Sequence, residues 1–489
     1  MVAASVAPGV RSYLQGISKK LDVHSWKEDN LYIMHSGGGT LPPSEAIKKP
    51  HTMIESGPAA GIIAAAQLAQ KLELDRIIAF DMGGTTAKAG LILNKQPLYT
   101  TEYEVGEKVH SSGWTRGSGY PVRFPMIDVA ECGSGAGSIA WIDPGGHLKV
   151  GPESAGADPG PACYGKGGSK PTVTDAYLEL GYLDRDSFLG GDMLLDPKLA
   201  TNALQKHISK HLSMSVKEAA AGVVTIANDN MLHILRLVSV MRGYDPRDFT
   251  LVAYGGAGPI HATMLAEKLS IRKVIIPKYP GLFSALGLLY SDVSTDFVET
   301  IMTTLEPDNV DLLNNILDRL NTKADSWFER MKGYGVKFEI RTSIDLRYLR
   351  QNYEINIPLP GVHLSSDYII SLQRKFHEAH KTKYGHSTPG ETIQTVYVRL
   401  RALKLLTKSD LKPLKNDKRE ITNNTSHKNR KIWFPEGEIS CPVYERNSLS
   451  PKQKLEGPLI IQEKEATTLV ERNWMILVDN FGNLVLKRK

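Results

Sequence analysis

Hydrophobic and polar positions in the first 290 residues alternate between strand-like and helix-like periods. Arg76 to Phe80 is an apolar run ending at Asp81, and Lys88 to Leu93 returns as a second; both predict buried strands. Ser56-Gly57-Pro58 opens a predicted helix to about Leu72, with Ser56 available as its cap and proline tolerated in the first turn. A longer helix is predicted from about Val216 to Met241. Phe249 to Tyr254 reads as a strand, Gly255 to Pro259 as a turn, Ile260 to Leu269 as a helix and Lys273 to Pro277 as a strand. That succession is the β-turn-α-β element of an α/β layer fold. Leu31 to Met34 is a short predicted strand entering the glycine-rich residues 35–40.

The pattern changes near residues 291–300, where a boundary is expected. Phe338 to Tyr348 and Tyr353 to Ile357 alternate as two antiparallel strands. Leu372 to Tyr384 reads as a helix and Thr395 to Leu405 as a strand. Residues 408–430 lack periodicity and read as a loop, and Pro458 to Leu486 as three short strands with a final hairpin at Asp479-Asn480-Phe481-Gly482. Only eight of the 43 glycines follow residue 290. Glycine serves positive φ and close backbone approach, so chemistry is expected in the first part.

Composition narrows the class. At 489 residues, 41% hydrophobic and 23% charged, this is a globular chain. It is long enough for about three domains and a large core without disulfides or structural metals. A net charge of +6 would suit nucleic acid or an acidic membrane if it were spread over a folded face. Instead, residues 401–431 hold ten Lys or Arg against three acids. The excess is one solvated segment, and neither nucleic acid nor a membrane is expected as a partner. Cys132, Cys163 and Cys441 stand far apart without a CxxC pair. That argues against a zinc ribbon and a disulfide framework, and fits a reducing, cytoplasmic compartment. No apolar run reaches the length of about 18 residues that spans a bilayer.

Phe80-Asp81-Met82-Gly83-Gly84-Thr85-Thr86 is the sharpest local motif. A strand delivers Asp81 to a turn whose Gly83 and Gly84 amides and Thr85 and Thr86 hydroxyls can surround phosphate oxygens. Asp81 can hold a divalent cation, since Mg²⁺ takes few carboxylates and completes its shell with phosphate and water. The same residues also suit a plain hairpin turn. Gly255, Gly256 and Gly258 lie between a strand and a helix, suiting either a nucleotide contact at the helix N-terminus or a tight joint. Residues 132–165 form a long glycine- and proline-rich stretch expected to be functional and without regular structure. Its neighbourhood supplies Asp128, Glu131, Asp158 and Asp175 as acid/base or metal candidates, each equally at home in a turn or cap. Cys163 has no histidine at a telling spacing and reads as structural, and His261 reads as a helix-start residue.

Together these segments resemble the hydantoinase A / 5-oxoprolinase family. The matching stretches are residues 55–65, 80–92, 137–168, 171–176, 242–262 and 280–293, with 347–355 and 457–474 in the second part. The resemblance spans essentially the whole chain. It implies α/β, actin-like ATPase (ribonuclease H-like) lobes over residues 1–295, followed by a β-rich α+β C-terminal domain over 296–489. It implies ATP and Mg²⁺, with Asp81 to Thr86 at the phosphates and metal, and Gly255 to Gly258 by the nucleoside. The implied activity is ATP-dependent hydrolysis of a cyclic amide through phosphorylation of a substrate oxygen. Alternatives are a ketone carboxylase subunit or a chain incomplete on its own. A hydantoinase B-type subunit is the expected partner. Relatives of this kind begin with a further phosphate-loop domain, so the resemblance implies either that this domain is a separate polypeptide, a second expected partner, or that the reading frame is truncated. Many members carry a His-Thr pair and three consecutive glycines where this chain has Ala130-Glu131 and Gly135-Ala136-Gly137. Glu131 is the candidate replacement for that histidine.

Overall fold

The computed structural model describes residues 1–22, 31–101, 103–105, 109–110, 120–331, 337–408, 428–434 and 436–489. The fold is mixed α/β, in two compact units that are not consecutive in sequence. One comprises Met1–Ser56 with Ser291–Lys408, the other Gly57–Tyr290 with Ser409–Lys489. The boundary expected at residue 295 follows chain order, whereas each compact unit joins two segments that are separated in sequence.

The first unit is built on a six-stranded sheet ordered Ile33–Met34, Thr40–Leu41, Val293–Thr304, Ile393–Leu405, Lys337–Tyr348 and Ile355–Pro358. The alternation in 338–357 is realised as the antiparallel pair Lys337–Tyr348 and Ile355–Pro358. Helices Val310–Arg330 and Ser366–Tyr384 bury Leu313, Leu317, Trp327, Leu372 and Phe376 with Ile344, Leu346, Val398 and Leu400 of the sheet. The helix expected from Leu372 starts a turn and a half earlier, where Ser365 caps it by accepting from the Tyr368 amide.

The second unit carries the ten-stranded sheet. Its main order is Lys454–Glu456, Trp474–Val478, Leu484–Arg488, Lys273–Ile276, Thr250–Tyr254, Arg76–Met82, Ala87–Leu93, Val129–Cys132 and Val109–His110. Thr250–Tyr254 runs parallel to both Arg76–Met82 and Lys273–Ile276, as the β-turn-α-β reading requires. Alternation gives the central strands two working faces. Ile78, Phe80 and Met82 pack with Val223 and Met231 of helix Val216–Val238 and Ile260 of helix Gly258–Lys268. On the other face helix Ser56–Lys71 closes so tightly that a Cβ at Gly90 would run into Ile62. Helix Val216–Val238 starts with a capping box between Ser215 and Glu218.

Three expectations need correction. Residues 132–165 contain regular structure: Ser138–Ile142 and Leu148–Ser154 form an antiparallel hairpin around Asp143-Pro144-Gly145-Gly146. The loop expected over 408–430 gives way to strand Lys428–Phe434, which pairs with Gly437–Glu445, while 409–427 lie outside the described residues. The C-terminal segment has four strands after residue 458, not three, and Trp474–Val478 with Leu484–Arg488 extend the large sheet.

Candidate phosphate-binding junction

The strand Arg76–Met82 ends at Gly83, and the chain reverses through Thr86 into Ala87–Leu93, with the Gly83 amide donating to the Thr86 carbonyl at 3.1 Å. The motif is a hairpin, but the hairpin alone does not explain its glycines. Neither Gly83 nor Gly84 has a left-handed backbone, and a Cβ on either would meet nothing within 4 Å. The fold tolerates a side chain there, so the open space at the tip is the feature glycine preserves. Gly135 is different. A Cβ there would lie 2.5 Å from the Thr85 carbonyl carbon, and the Ala136 and Gly137 amides donate to the Gly83 and Gly84 carbonyls at 3.0 and 2.6 Å. The segment after Cys132 thus braces the hairpin through its backbone and leaves the exposed Gly84 and Thr85 uncovered.

The second glycine motif meets the first. Tyr254 is the parallel-strand partner of Asp81. Gly255 follows at φ +82°, and a Cβ on it would collide with Asp81 Oδ1 and the Met82 carbonyl. The Ala257 amide donates to that carbonyl at 3.0 Å. Helix Gly258–Lys268 begins here, directing the partial positive charge of its N-terminus to the junction. Gly256 and Gly281 face Glu465, in the turn between the C-terminal strands Leu459–Gln462 and Thr467–Val470. Ser284 Oγ, on helix Phe283–Tyr290, donates to Asp81 Oδ2 at 3.2 Å.

Burial pushes the Asp81 carboxyl above its usual range, against the opposing pull of Lys88 and Ser284. A desolvated carboxylate gains from a nearby cation. Among the described residues no three His, Cys, Asp or Glu side chains are grouped to hold a metal. Mg²⁺ bound chiefly by phosphate and water needs only one or two carboxylates, and Asp81, at the end of the strand beside the open glycine turn, fits that need.

Strand register reveals a residue the sequence reading passed over. Lys88 is opposite Asp81 on one side and Glu131 on the other, so the three share one face of adjacent strands. Lys88 Nζ lies 3.2 Å from Glu131 Oε1 and donates to Thr86 Oγ1 at 2.7 Å. The signal was present in the motif: a symmetric turn over Gly83–Thr86 pairs Met82 with Ala87 and hence Asp81 with Lys88.

The remaining candidates are not gathered here. Asp128 is buried in a two-toothed ion pair with Arg242 Nη1 and Nη2. Asp175 is wholly buried and accepts from the amides of Ala162, Cys163 and Thr172 and from Thr172 Oγ1, as the acid of a capping box for helix Val173–Glu179. Asp158 lies in an exposed turn. Burial raises the Cys163 thiol, followed by the influence of Asp175, and raises Cys132 to about 12, so neither is a ready thiolate. His261 is buried between Asn228 Oδ1, at 2.7 Å, and the Tyr177 hydroxyl, and burial lowers its pKa to about 3. It is a neutral core residue.

Comparison with known proteins agrees with this architecture. The hydantoinase/oxoprolinase family model matches residues 1–297, and that family's C-terminal domain model matches 306–489. The chain belongs to the hydantoinase/oxoprolinase family. It is 40% identical to an uncharacterized protein of Methanocaldococcus jannaschii over 100% of this chain and 69% of that one. It is 33% identical to the caprolactamase alpha subunit of Pseudomonas jessenii over 98% of this chain and 68% of the subunit. The crystal structure of the ATP-dependent caprolactamase from that organism superposes with a TM-score of 0.83 at 30% identity, covering 99% of this chain and 69% of that one. Nucleotide-free acetone carboxylase shares the fold, with a TM-score of 0.76 at 22% identity over 98% of this chain and 67% of that one. The chain therefore spans about two thirds of each of these relatives. No helix among the described residues is long and apolar enough to cross a membrane.

Proposed function

We propose that this chain is the nucleotide-handling subunit of an ATP-dependent cyclic-amide hydrolase, working with a partner subunit. The observation that carries the reading is the open tip at Gly83 and Gly84, where glycine is unnecessary for the fold and a side chain would fill the approach. Family membership and the likeness to an ATP-dependent caprolactamase support the reaction class. The α/β units are read as lobes of the actin-like ATPase kind. Gly83, Gly84, Thr85 and Thr86 take the phosphates, Gly255, Gly256 and Gly258 the nucleoside side, and Asp81 a magnesium ion. Bound there, that ion would supply positive charge to offset that of the phosphate.

An amide carbonyl is a poor electrophile because nitrogen donates into it. Transfer of the terminal phosphoryl group to the carbonyl oxygen removes that resistance. Water then adds to the carbon and the ring C–N bond breaks with a proton taken up by nitrogen, leaving an acyl phosphate that a second water hydrolyses to carboxylate and free phosphate. The products are a ring-opened amino acid or carbamoyl acid, ADP and phosphate. The chain's own contribution is to position phosphate at the exposed hairpin tip of Gly84 and Thr85, the Gly83 amide being engaged by the Thr86 carbonyl, and to keep Asp81 desolvated beside it. Asp128 and Asp175 serve the fold in this reading, and Glu131 acts through Lys88.

The test is phosphate release from ATP by the chain with its partner subunit, offered hydantoin, 5-oxoproline, caprolactam, or acetone with bicarbonate. Release that depends on a cyclic amide and yields one ring-opened product per phosphate supports the proposal. Release that depends only on ketone and bicarbonate replaces it with the carboxylase reading.

A further inference from the structure

We propose that Lys88 contacts the bound phosphate and that Glu131 is its resident counter-ion, displaced when phosphate arrives. The inference rests on the reading of residues 81–86 as a phosphate cradle. Lys88 Nζ donates at 2.7 Å to Thr86 Oγ1, a hydroxyl of that cradle, and lies 3.2 Å from Glu131 Oε1. Its side chain is 22% exposed and that of Glu131 11%. The pair thus sits neither in bulk water, where it would be nearly worthless, nor in a sealed core, where it could not exchange partners. Asp81, Lys88 and Glu131 form one row across three adjacent strands. Among the described side chains that row carries two carboxylates and one ammonium, an excess of negative charge beside a site meant for an anion.

A structural role alone would call for one acid to match one base. A binding role accounts for both acids: Asp81 serves the cation, and Glu131 compensates the ammonium while phosphate is absent. A half-buried ammonium left without a counter-ion would be costly. Lysine suits such an exchange, because it is a compact charge with three rotatable donors on a flexible stem. Lys88 can keep its bond to Thr86 while a phosphate oxygen takes the place of the Glu131 carboxylate. Carboxylate and phosphate then compete for one ammonium, so removing the two partners has opposite effects on affinity.

The experiment is calorimetric titration of the full chain with Mg·ATP, comparing wild type, Lys88→Met, Lys88→Arg and Glu131→Gln, with urea denaturation of each in parallel. Lys88→Met is expected to weaken binding about tenfold or more, the worth of a charge-assisted hydrogen bond. Lys88→Arg, which keeps the charge, falls between it and wild type. Glu131→Gln is expected to tighten binding about threefold or more, even though it removes an ion pair. Unchanged affinity in Lys88→Met, or weakening by both substitutions alike, overturns the inference and leaves the pair a structural one. Absence of Mg·ATP binding by the wild-type chain is a different result: the phosphate-cradle reading itself fails, and this inference with it.

Discussion

Substituting alanine at three glycines separates those the fold requires from those a ligand requires. Gly255→Ala carries two penalties. Its φ of +82° is left-handed, costing an L-residue about 1–2 kcal/mol. Its new methyl would also collide with Asp81 Oδ1 and the Met82 carbonyl, an overpacking worth about 1–3 kcal/mol. The sum is about 2–5 kcal/mol, a large share of the stability of an ordinary domain. Gly256 is the internal control, because its φ is not left-handed and the nearest atom to a Cβ is the Glu465 carbonyl oxygen at 3.4 Å. Gly256→Ala is expected to change stability by less than about 1 kcal/mol. Gly84→Ala makes the opposite demand. With nothing within 4 Å of a Cβ, it should leave stability within about 0.5 kcal/mol or raise it slightly, by restricting the unfolded chain. Yet its methyl occupies the approach to the hairpin amides, so Mg·ATP affinity should fall about tenfold or more, that is, by at least ~1.4 kcal/mol. Urea denaturation followed by circular dichroism gives the stabilities, and calorimetry the affinities. Wild-type stability in Gly255→Ala would refute the junction geometry. Wild-type affinity in Gly84→Ala would refute the argument that open space explains that glycine.

Two further outcomes are expected. Asp175→Asn removes the charged acceptor of two loop amides and a helix cap, and should cost about 2–4 kcal/mol in urea denaturation with Mg·ATP affinity unchanged; loss of affinity with stability intact would return Asp175 to the site. Burial raises Glu463 from 4.5 to about 7, with neighbouring Glu465 adding to it and Arg446 opposing it. The folded state therefore binds the proton more tightly than the unfolded chain, and this stabilising contribution is complete below about pH 4.5 and lost as pH rises through about 7. Glu463→Gln should flatten the fall in stability between those limits, which denaturation midpoints from pH 4.5 to 8 would measure; an unchanged slope would place that carboxyl in water.

Local periodicity made most elements legible. The apolar runs at 76–80 and 88–93, the helix from Ser56 and the strand-turn-helix at 249–269 all stand where side-chain spacing puts them. Their partners were less accessible, because pairing is set by contacts distant in sequence. Nothing local in Leu484–Arg488 reveals that it lies beside Lys273–Ile276. The regular hairpin within 132–165 was hidden because its glycines and prolines mimic a loop, although some of them serve close packing: Gly133 would meet Pro152, and Gly151 the Gly133 carbonyl. The site divided in the same way. The glycine motifs announced themselves, and strand register then brought Asp81, Tyr254 and Lys88 together. The role of Asp175 was partly visible in Thr172-Val173-Thr174-Asp175, which has capping-box spacing with aspartate in place of glutamate. The pairing of Asp128 with Arg242 joins distant residues and had no sequence signal.

The proposed function stands or falls with nucleotide phosphate binding at the hairpin of residues 81–86, with Asp81 beside the metal. Calorimetric titration of wild type and Asp81→Ala with Mg·ATP addresses it most directly, with denaturation curves confirming that both are folded. Saturable binding by wild type and a loss of about tenfold or more in the folded variant are expected. Equal affinity in the two proteins would contradict the proposed function.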